Sequence, residues 1–255
     1  MSEIPSISIV GAGNVAFHLG KALQAAGIPI KSIYSRTFSK AQELAGELNT
    51  DAVKELAGLK DSGLIICCAS DAALKELIPE LSKLAPVAAT SGTTDVLAME
   101  HQYPAGVFYP LQTFSGRTPA DFKQLPLFVE GSDPRMTRLL VSVGKKISDT
   151  VVELSAAKRA ELHIAAVFIN NFTNHMVDIG QQFLEEHDLS FEWMRPLLGE
   201  TVSKLGYKSA YEVQTGPARR GDEVTLQKHI AALDPDKAAI YKLISISIQQ
   251  RYPKS

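Results

Sequence analysis

The sequence lacks the features that mark a secreted, metal-binding or membrane-spanning protein. Its only cysteines, Cys67 and Cys68, are neighbours that point to opposite faces of a strand, so we do not expect them to share a metal. No apolar run approaches the roughly 18 residues that a membrane span needs. The N-terminus has no basic segment followed by a long apolar stretch, as a signal peptide would. Two free thiols without a signal predict a cytoplasmic protein.

The chain also lacks an excess of charge of either sign. Its net charge is −2, and charged residues make up 21% of the sequence. This balance gives no electrostatic reason to expect nucleic acid or an anionic membrane as a partner. We expect a small-molecule substrate instead. The length of 255 residues allows one large or two modest domains.

The first 153 residues alternate short apolar runs with segments of helical period. The predicted strands are Ile7–Val10, Lys31–Tyr34, Leu64–Cys68, Pro86–Ala89, Gly106–Tyr109, Leu127–Glu130 and Ile147–Val152. The predicted helices are Val15–Ala26, Lys40–Leu48, Asp71–Leu84 and Pro134–Val143. This alternation predicts right-handed βαβ units and a mostly parallel, Rossmann-type sheet.

The pattern changes near Leu154, after which only helical segments follow. They run over Ala156–His187, Phe191–Gly206, Asp222–Leu233 and Asp236–Tyr252. We therefore predict a dinucleotide-binding domain over residues 1–153 and an all-helical domain over residues 154–255.

A glycine-rich turn follows the first predicted strand and opens the first helix. Gly11 permits the tight turn, Gly13 lets the backbone approach a pyrophosphate, and Ala16 keeps the helix close to the sheet. The backbone N–H groups of Asn14 and Val15 are unpaired at the helix start and attract phosphate. The alternative is an ordinary strand–helix turn, but the position after the first strand favours a dinucleotide site.

The end of the second strand indicates which dinucleotide binds. An NAD site usually carries an acidic residue there, whereas this chain has Ser35, Arg36 and Thr37, with Lys40 one helical turn on. Arg36 can pair with a 2′-phosphate, and the two hydroxyls can donate to it. The alternative is that Arg36 is a solvated loop residue. The absence of a carboxylate favours NADP.

Two further strand ends should reach the same edge of the sheet: one ends in Ser70, and the next is followed by Thr90, Ser91 and Gly92. Ser70 follows the third clear strand and is a candidate cofactor contact or helix cap, and we interpret Asp71 as the cap of the next helix.

The long predicted helix from Ala156 carries a polar seam. Assuming 100° per residue, His163, Asn170, Asn174 and Asp178 share one sector, with Asn171 at its edge. The apolar arc on the remaining surface is wider than a surface helix needs, which predicts a largely buried helix. The seam either faces solvent or a dimer interface, or it faces the cofactor and supplies a histidine for proton transfer and an asparagine for orienting substrate. Helix geometry alone does not separate these interpretations.

A loop rich in glycine and proline lies between two later helices. Arg219 and Arg220 either clamp an acidic group or are solvated surface charges, and Asp222 caps the helix that follows.

These motifs together resemble a known group of bacterial proteins. The resemblance is carried by IVGAGNVAFHL, IYSR, CASDAAL, TSGTTDVL, YPLQTF, HIAAVFINNF and TGPARRGD. The group combines an N-terminal Rossmann-like domain with a C-terminal helical domain of unknown function and is commonly labelled as NADP oxidoreductases. In layout it is similar to pyrroline-5-carboxylate reductases and 6-phosphogluconate-dehydrogenase-like enzymes.

The resemblance implies roles for residues in the helical half. It implies that His163 and Asn171 act in catalysis. It also implies that Thr215, Gly216, Pro217 and Arg220 line the same cleft, with Thr215 and Arg220 as the substrate residues. It further implies a homodimer formed by the helical domain.

Two positions depart from the related patterns. Tyr109 stands where the group often has histidine, and Val167 stands where related hydroxyacid dehydrogenases have a catalytic lysine. We therefore do not expect a direct copy of the dehydrogenase mechanism.

The sequence leaves three functions to weigh. The first is an NADP-dependent oxidoreductase that acts on a small carbonyl or imine compound. The second is a protein that binds or senses NADP without turnover. The third is an enzyme that uses a reduced deazaflavin together with NADP.

Overall fold

The computed structural model describes residues 4–252. They form two compact units, which divide between Asn170 and Asn171. Each unit is described by itself below.

The first unit is built on one eight-stranded sheet. Its strands are β1 Ile7–Val10, β2 Ile30–Tyr34, β3 Asp51–Val53, β4 Leu64–Cys67, β5 Val87–Ala89, β6 Ala105–Pro110, β7 Leu127–Gly131 and β8 Val151–Glu153. Their order is β3-β2-β1-β4-β5-β6-β7-β8, and every pair is parallel except β6 with β7. The strand order therefore reverses at β1: β2 and β3 lie on one side of it, and β4 and the later strands lie on the other. Ligands bind at this point in open sheets of this type.

Helices cover both faces of this sheet. They are α1 Asn14–Ala25, α2 Phe38–Glu47, α3 Asp71–Leu81, α4 Pro134–Ile147 and α5 Ala156–Ala166, and 3₁₀ turns occur at Leu56–Leu59 and Phe122–Gln124. Side chains of β4 alternate between two buried clusters: Leu64 and Ile66 pack in one, Ile65 and Cys67 in the other. This alternation explains why the central strands read as continuous apolar runs, since both of their faces are buried.

The second unit contains helices and no strand among its described residues, 171–252. They are α6 Thr173–Glu186, α7 Arg195–Leu205, α8 Ala210–Val213, α9 Pro217–Arg220, α10 Glu223–Ala231 and α11 Pro235–Arg251. A π-helical segment, Val167–Phe172, connects α5 to α6. No helix in the described part of the chain is both long and apolar enough to cross a membrane.

The predicted fold class is confirmed, and most elements lie within two residues of their predicted bounds. The last strand of the sheet is shifted, because α4 continues to Ile147 and β8 begins only at Val151. The edge strand β3 was not predicted, since three residues are too few to show a period. The prediction that Asp71 caps α3 is wrong: Ser70 occupies the N-cap position and Asp71 is the first helical residue.

The prediction of a largely buried long helix is also wrong. Within α5 only Arg159 is buried, and α6 has no buried residue. Ile164 and Ile169 are 60% and 75% exposed. A wide apolar arc shows that a helix favours apolar contact, but it does not show that the same chain provides that contact.

The predicted domain boundary after residue 153 coincides with the end of β8, the last described strand. The first compact unit nevertheless extends to Asn170 and includes α5. The functional division at residue 153 stays a prediction.

The backbone geometry of the glycine turn predicts which of its glycines can be replaced by alanine. Gly11 has a φ of +111°, and a Cβ there would lie 2.7 Å from the carbonyl oxygen of Cys68. We expect Gly11→Ala to lower the free energy of unfolding by about 1–3 kcal/mol, because it combines strain with a backbone clash. Urea denaturation measures the loss.

Gly13→Ala is the matched control. Gly13 has a φ of −89°, and no atom lies within 4 Å of an added Cβ. We expect this variant to lose less than about 1 kcal/mol. Equal losses in the two variants would contradict the role assigned to Gly11.

Candidate active site

A pocket of about 290 Å³ lies at the carboxyl ends of β1, β2 and β4. Six of the predicted cofactor residues line it: Gly11, Gly13, Ser35, Arg36, Thr37 and Ser70. The structure therefore brings together residues from three strand ends that are up to 59 positions apart in the sequence. This is the place where the strand order reverses, as expected of a dinucleotide site.

The glycine turn shapes one wall of this pocket. The N–H of Gly11 donates to the carbonyl of Tyr34 at 2.8 Å, which joins the turn to the end of β2. Gly11 also presses against Cys68 at the end of β4. Gly13, in contrast, faces open space, and this is the space that a pyrophosphate needs to approach the backbone.

The pocket lining also carries positive charge. Arg36 and Lys40 both line the pocket and are exposed. No aspartate or glutamate is among the described residues that line it. A phosphate group would meet two cations and hydroxyls there without a repelling carboxylate.

Asn14 and Val15 lie at the start of α1. The first described helical bond of α1 runs from Phe17 N–H to Gly13 O at 3.0 Å, so helix geometry leaves the preceding N–H groups for a ligand or solvent. The side chain of Asn14 has a role that the sequence did not predict. Its amide donates to the carbonyl of Phe114 at 3.1 Å and so holds the segment after β6 against the start of α1.

A second group of residues lies at the carboxyl ends of β5 and β6. The phenol oxygen of Tyr109, in β6, lies 3.1 Å from Nδ1 of His163, in α5. Gly92, in the loop after β5, lies directly against this pair. A Cβ on Gly92 would come within 2.8 Å of both His163 Nδ1 and the Tyr109 ring.

Asp71 places a carboxylate near this pair. It accepts a hydrogen bond of 2.6 Å from the hydroxyl of Thr93. Partial burial raises the pKa of Asp71, but hydrogen bonds from Thr93, Ser91 and Thr94 and the charge of His163 outweigh it and bring the pKa below its usual value. Asp71 is therefore ionised at neutral pH.

Burial also affects Tyr109, which is half-buried. It raises the pKa of the phenol, the positive charge of Arg159 opposes the rise, and the negative charge of Asp71 adds to it. The phenol consequently keeps its proton at neutral pH.

Arg159 fixes α5 to the sheet. Its side chain is 1% exposed and forms an ion pair of 2.8 Å with Glu130 in β7. It also donates to the carbonyl of Thr94 at 2.9 Å and to that of Leu154 at 3.4 Å. Since His163 lies one helical turn after Arg159, this anchor sets where the imidazole lies.

Two of the three asparagines of the predicted seam, Asn170 and Asn171, have different surroundings. Asn170 donates from its side-chain amide to the hydroxyl of Thr113. Asn171 is exposed and is the first residue of the second unit. Both lie in the π-helical segment, whose wider turn shifts them from the positions that an ideal α-helix predicts.

The loop residues singled out near position 215 lie in the second unit. Thr215, Gly216 and Pro217 line a mainly apolar pocket of about 330 Å³ with residues of α6 and α11. Arg220 is exposed in α9 and is not among the residues that line this pocket. The Arg219 guanidinium lies 4.4 Å from the centre of the Tyr252 ring.

Sequence reasoning missed three features of the first unit. These are the partnership of Tyr109 with His163, the close approach of Gly92, and the ion pair of Arg159. A signal existed only for Gly92, because a glycine in a loop shortly after a strand can mark a close approach of other groups.

The fold and this site define the class of protein. A glycine turn after β1, a cationic pocket where the strand order reverses, and an imidazole at the carboxyl edge of the same sheet are the features of a nucleotide-dependent oxidoreductase.

The comparisons with known proteins agree with that class. Residues 6–90 match the family model described as NADP oxidoreductase coenzyme F420-dependent, and residues 125–248 match the domain of unknown function DUF2520. The chain is 35% identical to a protein from Bacteroides fragilis described as a "putative NADP oxidoreductase". The match covers 96% of this chain and 98% of that one, with a TM-score of 0.89.

More distant structures share the fold alone. A protein from Thermotoga maritima is 18% identical, with 97% and 100% of the two chains covered and a TM-score of 0.79. An imine reductase from Myxococcus stipitatus, solved with NADP⁺, is 14% identical, with 98% and 96% covered and a TM-score of 0.61. The comparison with curated proteins finds no match.

The chain belongs to the family of the Bacteroides fragilis protein, in which an NADP oxidoreductase domain is followed by DUF2520. The predicted family resemblance is thereby confirmed. The predicted cofactor, NADP, is the one that the family description names.

Proposed function

We propose that the protein transfers a hydride between NADP(H) and a carbonyl or imine group of a small molecule, with His163 as the general acid–base. The observation that carries this proposal is the imidazole of His163, held by Tyr109 at the same edge of the sheet as the cationic pocket. A protein that only senses NADP needs no such pair.

The pocket residues supply contacts for each part of the cofactor. The open backbone at Gly13 and the N–H groups of Asn14 and Val15 suit the pyrophosphate. Ser35, Arg36 and Thr37 suit the 2′-phosphate, with Lys40 adding charge. Ser70 contributes a hydroxyl from the end of β4. Gly11 lines the pocket and sets the turn that brings these groups to the cofactor.

The chemistry divides between cofactor and protein. When bound, NADPH supplies the hydride. The protein must supply a proton to the oxygen or nitrogen that accepts negative charge, which typically accelerates a reaction by about 10²–10⁴-fold. Nδ1 of His163 is engaged by Tyr109, so Nε2 is the ring nitrogen that serves substrate.

The proposal also assigns substrate contacts to residues of the second unit. Asn171 orients the substrate by hydrogen bonding without changing charge, and Thr215 and Arg220 contact its remaining groups. This assignment is supported by the match of HIAAVFINNF and TGPARRGD to the family pattern. Arg220 can pair with an acidic substituent.

A second candidate function has one observation in its favour. The family model that matches residues 6–90 is described as coenzyme F420-dependent. Reduction of NADP⁺ by a reduced deazaflavin would use the same pocket, with the deazaflavin in the place of the small carbonyl compound. Adding reduced F420 and NADP⁺ to the purified protein tests this candidate directly.

We also propose a homodimer, formed through the helical half of the chain. The apolar arc of the helix from Ala156 is exposed in the single chain, with Ile164 60% and Ile169 75% exposed. Apolar patches of this kind mark interaction surfaces in soluble proteins. A second copy of the chain would cover them.

The role of Arg36 is tested by substitution. We expect Arg36→Ala to weaken NADPH binding by roughly 10- to 100-fold, because a charge-assisted hydrogen bond contributes about 1.5–3 kcal/mol. NADH binding should not change, because it has no 2′-phosphate. Isothermal titration measures both, and Arg138→Ala, an exposed arginine in α4, is the control. Unchanged NADPH affinity would refute the assignment.

The role of His163 is tested by activity. Wild-type protein is screened with NADPH against oxo acids, cyclic imines and aldehydes. We then expect His163→Ala to lower kcat by roughly 100-fold or more with NADPH affinity retained. His101→Ala, an exposed histidine in the segment before β6, should keep full activity. Full activity in His163→Ala would show that another group moves the proton.

The dimer is tested by light scattering coupled to gel filtration. We expect the wild type to have twice the mass of one chain and Ile169→Glu to shift toward the mass of one chain, because a buried carboxylate is strongly unfavourable. Tyr103→Glu, at an exposed residue before β6, should remain dimeric. A wild-type mass of one chain at high concentration would exclude the proposed dimer.

A further inference from the structure

The contact between Tyr109 and His163 determines which ring nitrogen is free. The two side chains come from β6 and α5, 54 residues apart, and meet at 3.1 Å between the phenol oxygen and Nδ1. A hydroxyl can either donate to a ring nitrogen or accept from it. The two arrangements leave opposite protonation states at Nε2.

We propose that Tyr109 is a positioning residue whose oxygen accepts the Nδ1–H of His163 and so leaves Nε2 as the nitrogen that exchanges a proton with substrate. Its catalytic consequence rests on the proposed function. The protonation state of the ring does not, and can be measured without a substrate.

Two charges that act electrostatically on the phenol favour this direction. Asp71, at the start of α3, is a carboxylate, and Arg159, in α5, is a guanidinium paired with Glu130 of β7. A carboxylate attracts the hydroxyl proton, and a cation attracts the oxygen lone pairs. The phenol proton therefore orients toward Asp71, and the oxygen is left to accept from Nδ1.

This arrangement lets His163 give up a proton while its ring keeps the same orientation. In the doubly protonated ring, Nδ1–H donates to Tyr109 and Nε2–H faces outward. When the Nε2–H bond breaks, a new O–H or N–H bond forms on the substrate, and the Nδ1–H bond to Tyr109 stays as it was. Tyr109 thus plays the part that a carboxylate plays in a catalytic triad, but without adding a charge.

Gly92 makes the contact possible. Any side chain there would begin within 2.8 Å of His163 Nδ1 and of the Tyr109 ring, so the two groups would have to separate. The loop after β5 therefore needs a residue without a side chain at this position, and glycine is the only such residue.

The experiment reads the ring protonation directly. The protein has six histidines, and ¹⁵N labelling of histidine gives one pair of ring signals for each. His163→Gln identifies the signals of His163 by their loss. At the alkaline end of a pH titration, we expect wild-type His163 to carry its proton on Nδ1, and Tyr109→Phe to move that population toward Nε2.

Two further variants and the other histidines serve as controls. Unchanged signals of the other five histidines show that Tyr109→Phe is folded. Gly92→Ala should move the tautomer in the same direction with Tyr109 intact, whereas Gly46→Ala, where an added Cβ meets no atom, should not. A wild-type ring protonated on Nε2, or one unchanged in Tyr109→Phe, overturns the proposal.

Activity gives a second readout once a substrate is found. We expect Tyr109→Phe to lower kcat by roughly 10- to 100-fold, the range for removing a group that orients a histidine, with KM for NADPH unchanged. A tautomer change without a loss of kcat would contradict the function proposed for His163 and leave the assigned ring state intact.

Discussion

The ion pair between the buried Arg159 and the partly buried Glu130 is the constraint on which the site depends. It joins α5 to β7, and a further bond to the carbonyl of Thr94 joins α5 to the loop after β5. Within the described part of the chain, Nε of Arg159 has no hydrogen-bond partner, so its desolvation is not fully compensated. A pair of this kind adds little net stability, but loss of one partner costs about 3–5 kcal/mol. Its main effect is to fix where α5, and with it His163, meets the sheet.

A second support joins the cofactor turn to the same helix. Asn14, at the start of α1, donates to the carbonyl of Phe114, and Asn170, in the π segment, donates to the hydroxyl of the preceding residue, Thr113. One short segment after β6 therefore receives bonds from both sides of the site. A shift of this segment would move both the glycine turn and the end of the helix that carries His163. The two parts of the site therefore depend on each other.

The features that were predicted correctly from the sequence depend on local patterns. The features that were missed depend on contacts between residues far apart in the chain. Apolar alternation and the glycine turn are local, so the sheet and the residues of the cofactor pocket were found. Tyr109 and His163 are 54 residues apart and meet only because β6 and α5 reach the same edge, so neither period nor motif reveals their bond. The predicted burial of the long helix failed for a related reason: an apolar arc contains no information about which surface covers it.

The groups around His163 and the cationic pocket belong to one structural unit. The cationic pocket, the Tyr109–His163 pair and Asp71 all lie within the first unit, so their geometry is set by one sheet and its helices. The second unit contributes an apolar pocket at Thr215 and exposed apolar helices. Under the functions proposed above, substitutions in the second unit change substrate preference while the ring protonation of His163 stays the same, since Tyr109, Gly92 and the charges around them lie in the first unit.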